Sequence, residues 1–69
     1  MKAIMFTTTT SFINKHQRKM LLSKGNRLFE SGNYEEAVVP YQEIVKLYPD
    51  YPLGFYNLAN ALAAMKKYD

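Results

Sequence analysis

His16 is the one side chain in this sequence suited to proton transfer or metal ligation near neutral pH, and it stands alone. No second histidine, no cysteine and no nearby carboxylate completes a ligand set, so a solvent-facing histidine is expected and no metal site. Glu35 and Glu36 are the only adjacent acids, and the start of a helix explains them better than acid–base work. There is no GxGxxG turn and no GK[ST] phosphate loop. No enzyme activity and no cofactor are expected. What remains is charge: the stretch Lys15-His16-Gln17-Arg18-Lys19 placed over phosphates would release counterions. Only Phe12 lies near it, so the interleaved aromatics of a single-strand-binding surface are missing.

The net charge of +3 hides an asymmetry. Residues 1–29 hold Lys2, Lys15, Arg18, Lys19, Lys24 and Arg27 and no acid, whereas residues 30–69 sum to −3. Such a split suits an anionic partner for the front half, nucleic acid or acidic lipid, although a solvated helix face accounts for the same residues. At 69 residues with no cysteine, the chain is one small domain or part of one, with neither disulfide nor thiolate–metal bond to stabilise it. A cytoplasmic location is expected, and no apolar run approaches the roughly 18 residues of a membrane span.

The elements that must position any site are helical. Residues 1–14 read as a flexible arm, because four consecutive threonines make poor helix and no strand partner is near. A first helix begins near Ser11 or His16, with Leu21, Gly25 and Leu28 on one face. Ser31-Gly32 ends it, and Asn33 is expected to cap a second helix in a capping box with Glu36. Ala37, Tyr41, Ile44 and Tyr48 carry the second apolar face until Pro49 stops it. Pro40 falls inside this helix, where a bend or a loosened first turn is expected. Asp50 is placed to cap a third helix, with Pro52 in its first turn. Phe55, Leu58 and Leu62 form its apolar stripe toward the preceding hairpin, and Ala59 takes the close-approach position.

Leu21-x2-Lys24-Gly25-x2-Leu28, then Ala37-x3-Tyr41, then Pro49 resembles the tetratricopeptide repeat, whose pattern reads W-x2-L-G-x2-Y…A-x3-F…P over 34 residues. Leu21 stands for the tryptophan and Lys24 for the leucine. Phe55-x2-Leu58-Ala59-x2-Leu62 matches better, and the copies align at an offset of 34 through Asn26/Asn60, Leu28/Leu62 and Tyr34/Tyr68. The expected fold is all-α: a TPR-like helical hairpin plus a third helix, an α-solenoid fragment. Residues 15–69 form the helical domain, with a first repeat over about 18–51 and a half repeat over 52–69. Leu21, Gly25, Leu28, Ala37, Tyr41, Phe55, Leu58, Ala59 and Leu62 are its packing positions.

The resemblance implies a protein-interaction scaffold that binds a peptide or helix in a concave groove. The groove row would be Lys19, Leu22, Ser23, Asn26 and Phe29, followed by Leu53, Tyr56, Asn57, Asn60 and Ala63. Asn26, Asn57 and Asn60 are candidates to hydrogen-bond a partner, and Phe29 and Tyr56 are candidate anchors. Asn26 and Asn57 fall on two places of the carboxylate clamp of some relatives. Leu22 stands where its first lysine belongs, so no clamp is expected. Leu53 to Met65 carries no charge, unlike a polar terminal helix. Either further chain after Asp69 or a second copy, giving a homo-oligomer, is expected to cover that helix.

Overall fold

A computed structural model describes residues 15–68; the expected arm, Ser11 and Asp69 lie outside the described residues. Three helices follow one another: α1 (Lys15–Glu30), α2 (Tyr34–Leu47) and α3 (Pro52–Tyr68). No strand occurs among the described residues. The middle helix, α2, packs against both α1 and α3.

The first turn is set by backbone chemistry. Gly32 adopts φ 84°, the left-handed region that glycine enters without steric cost. Its N–H donates to Phe29 O at 3.0 Å, and the Asn33 N–H donates to Leu28 O at 2.8 Å. These are the paired bonds of a Schellman ending. They also correct the expected capping box: the Asn33 backbone N–H, which Glu36 would have to accept from, is committed to Leu28, and the Asn33 side chain makes no cap hydrogen bond. α2 runs through Pro40 without interruption and buries that ring. α3 begins at Pro52, so Tyr51 rather than Asp50 precedes it, and the Gly54 N–H donates to Tyr51 O at 3.1 Å.

Packing follows from size. Besides Pro40, the buried apolar side chains among the described residues are Ala37, Tyr41, Ile44 and Ala61, two of them alanines, so little core volume holds the helices together. Leu21, Leu22, Leu28, Phe29, Val38, Tyr48, Tyr51 and Leu58 close around them. Each large buried side chain of α2 meets a glycine of a flanking helix. The Tyr41 ring lies on Gly25 of α1, where an added Cβ would come within 2.7 Å of Tyr41 Cδ1. Ile44 lies on Gly54 of α3, where an added Cβ would come within 2.7 Å of Ile44 Cγ2.

That second contact corrects two expectations for α3. Gly54 and Ala61 make the close approach to α2, and Ala59 is exposed. Phe55 and Leu62 turn away from the hairpin, each 47% exposed, while Leu58 alone of the expected stripe packs on the core. The physical reason lies in the repeat register. Phe55, Ala59 and Leu62 align with Leu21, Gly25 and Leu28, the α1 face that meets its own return helix α2, not the face that meets an earlier helix. The same register explains Lys24. Its counterpart Leu58 rests on α2, whereas Lys24 points outward beside exposed Ser23 and Arg27.

Arg18 ties the start of α1 to the α2–α3 loop. Its guanidinium lies 4.1 Å from the Tyr51 ring centroid and 5.9 Å from that of Tyr48. Such a contact stabilises by roughly 0.5–2 kcal/mol depending on exposure.

Gly25→Ala gains about 0.5–1 kcal/mol of helix propensity but drives Cβ into a buried ring, at a cost of about 1–3 kcal/mol. Overpacking wins, and the thermal midpoint followed by circular dichroism should fall. Arg18→Ala should also lower that midpoint, by about 4–8 °C for each kcal/mol lost in a domain of this size, and Arg18→Lys should recover part of the loss.

Candidate functional site

A cleft opens where α1 and α3 diverge across the face of α2. It is lined by Asn26, Phe29 and Glu30 from α1, Tyr41 from α2, and Asn57 and Asn60 from α3. The elements position these groups for simple reasons. Asn26 and Glu30 are one turn apart on α1, Asn57 and Asn60 are likewise neighbours on α3, and Tyr41 rises between them because Gly25 leaves room for its ring.

Tyr41 is 2% exposed, yet its hydroxyl reaches the cleft and donates to Asn26 Oδ1 at 2.6 Å. That bond fixes the orientation of the Asn26 carboxamide, because its oxygen is the accepting atom. The amide N–H groups of Asn26 are then the donors it can present. Burial raises the Tyr41 phenol above its ordinary range, and the nearby Glu30 carboxylate raises it further. Phe29 is half-buried and meets the Tyr34 ring edge-on, with centroids 5.0 Å apart and planes at 66°. The cleft encloses about 90 Å³. Small-molecule sites span roughly 300–1,000 Å³, so this one admits a side chain or a stretch of backbone rather than a whole ligand.

The remaining groove candidates lie around this centre. Lys19 is exposed, while Leu22 is half-buried and packs against the core. Tyr56, 64% exposed, stands outside the cleft lining. Glu30 and Tyr41 are the lining residues that sequence reasoning missed. Spacing from Asn26 would have found Glu30, but the reach of the Tyr41 hydroxyl depends on how closely two helices approach. Of the basic residues, Lys15, Lys19, Lys24 and Arg27 are exposed, whereas Arg18 is engaged by Tyr51 and Tyr48.

A second, wider depression of about 470 Å³ lies on the other side of the hairpin, between Leu21, Lys24 and Leu28 of α1 and Glu36, Val39, Pro40 and Glu43 of α2. Val39 is the large apolar side chain that stands out there, 66% exposed. Among the described residues no group of His, Cys, Asp and Glu could hold a metal ion, and no helix is long and apolar enough to cross a membrane.

Tyr41→Phe should cost about 0.5–1.5 kcal/mol, toward the lower end because water can reach the exposed Asn26 once the hydroxyl is gone. The raised phenol also sets a sign for alkaline pH. Above about pH 10 the unfolded chain ionises this tyrosine before the folded chain does, so stability falls as pH rises. Denaturation between neutral and alkaline pH should show that loss, and Tyr41→Phe should reduce it.

No solved structure matches the chain. A family model described as TPR repeat matches residues 25–66, the last turns of α1 from Gly25, all of α2 and nearly all of α3. Glycine at the first close approach, Ala37 and Tyr41 opposite it, and an ending at Pro49 all fall within or beside that match. The chain belongs to the tetratricopeptide-repeat family.

Proposed function

We propose that this chain is a non-catalytic protein-interaction module and that the cleft between α1 and α3 holds its partner. Tetratricopeptide repeats are interaction scaffolds as a class; the specific surface is our reading. The Tyr41–Asn26 hydrogen bond is the observation that carries it. A buried phenol holds one exposed carboxamide in a fixed orientation beside Asn57 and Asn60, so amide groups from two helices are presented together. Asparagine amides pair well with a peptide backbone, which offers N–H and C=O groups at regular intervals. Phe29 supplies an apolar wall, and exposed Tyr56 is positioned to cover a ligand that extends beyond the cleft. Glu30 adds one negative charge at the rim, which favours a ligand with a nearby cation.

The occupant this geometry suits is a peptide, extended or helical, that inserts one side chain into the small cleft. The rival reading, an anionic surface held by the front of α1, loses Arg18 to its contacts with Tyr48 and Tyr51. A cytoplasmic setting is consistent with the peptide reading but is not needed for it.

Peptides selected against the chain from a display library provide the test. Asn57→Ala and Tyr56→Ala should each weaken the selected peptides by about tenfold, or 1.4 kcal/mol, with little change between low and moderate salt. Val39→Lys, on the opposite side, should leave affinity unchanged. Affinity that is insensitive to Asn57→Ala but lost in salt would assign the binding to the basic face of α1 instead.

A further inference from the structure

The cleft between α1 and α3 carries charge of one sign. Among the described residues that line it, Glu30 is ionised and no Lys or Arg stands with it. Burial raises the Tyr41 phenol and the Glu30 carboxylate raises it further, so that negative charge is felt at the base of the cleft. The neutral lining groups add acceptors rather than cations. Asn57 and Asn60 can turn their carboxamide oxygens inward, and the Tyr41 hydroxyl, whose proton goes to Asn26, keeps its oxygen lone pairs. Phe29 supplies an apolar wall beside them. Lys19, the basic member of the expected groove row, lies about 16 Å along α1 from Glu30 at 1.5 Å per residue, too far to neutralise it.

We propose that the side chain received by this cleft is a lysine, so that the partner is a peptide segment anchored by one ammonium group. The inference rests on the cleft reading above and names the group that enters. An inserted carboxylate would meet Glu30 with no cation between them, and like charges brought together suppress binding. An apolar side chain would strip water from the acceptors and return no donor. A lysine ammonium carries three donors and no acceptor, and its methylene stem can rest on Phe29 while the charged head reaches the polar groups. Lysine is preferred to arginine on shape. A guanidinium is a planar fork made for two oxygens of one group, whereas the acceptors here come from three helices around about 90 Å³. The Asn26 amide N–H groups, set by the Tyr41 bond, are left for a carbonyl of the same peptide. Acetylation removes the lysine charge, so binding at this cleft is open to control by acetylation of the partner.

Peptides selected against the intact chain from a random display library should share one lysine. In the tightest of them, norleucine in its place keeps the stem and drops the ammonium. That change, or acetyl-lysine, should weaken binding by about tenfold in calorimetry, and arginine by about threefold. Glu30 is exposed at the end of α1, so its substitution should leave the helical circular dichroism intact. Glu30→Gln should weaken the lysine peptide by about fivefold and barely change the norleucine peptide. Glu30→Lys should reverse the preference and hold a peptide with glutamate at that place more tightly than the lysine parent. A purely structural role for Glu30 would not produce that exchange. Peptides that depend on Asn57 yet share no lysine overturn the proposal and leave the cleft reading standing. So does an arginine peptide that binds as tightly as its parent, or an equal loss of the lysine and norleucine peptides on Glu30→Gln. Peptides indifferent to Asn57→Ala overturn both readings.

Discussion

The fold depends on two glycines that let α2 lie close to both its neighbours. Tyr41 and Ile44 are the largest buried side chains, and each occupies space that a Cβ on the facing helix would deny it. In a core otherwise made of small residues, these two contacts fix the depth at which three helices meet. Leu or Ile at Gly25 would push α1 off the Tyr41 ring, and the loss would not be local. The surrounding Leu21, Leu28 and Phe29 pack against the same ring and its neighbours. Stability in a domain this small is a difference of about 5–15 kcal/mol between large opposing terms, so one misplaced methyl group is a substantial fraction of it.

Tyr41 also joins the core to the surface. Its ring belongs to the packing and its hydroxyl to the cleft, which makes the orientation of Asn26 a property of the hairpin rather than of the exposed residue itself. A site organised from beneath in this way is preorganised: a partner need not bear the full cost of ordering that carboxamide. The same connection means that changes to packing around Gly25 and changes to binding at Asn26 should travel together. By contrast, α3 contributes Asn57 and Asn60 through a helix whose outer side is bare, so the two walls of the cleft differ in how firmly they are held.

Much of this was legible in the sequence, for reasons that are local. Ser31-Gly32-Asn33 announces a left-handed helix ending, and the spacing of Ala37, Tyr41 and Ile44 announces one buried face. Pro49 marks the stop of α2. What was not legible depends on which helix faces which. A period of 3.6 identifies Phe55, Leu58 and Leu62 as apolar positions without saying that Leu58 turns to α2 while the other two turn outward. Lys24 looked like a flaw in the repeat until its counterpart Leu58 showed that the position meets a preceding helix. The capping box failed because Asn33 has one backbone N–H and the helix ending had already used it. Arg18 read as part of a basic surface, since nothing near it in sequence reveals Tyr48 and Tyr51. The cleft itself was half visible: the asparagines stood out by spacing, but the phenol beneath them was read only as packing.

The central claim is that amides from α1 and α3, ordered over Tyr41, form the surface a partner occupies. Amide chemical-shift mapping by NMR, on the intact chain titrated with a selected peptide, addresses it directly. The largest shifts should gather at the side-chain amides of Asn26, Asn57 and Asn60, with Val39 and the rest of the opposite depression unmoved. Shifts confined to Lys15 and Lys19, or centred on Val39 and Leu21, would contradict it.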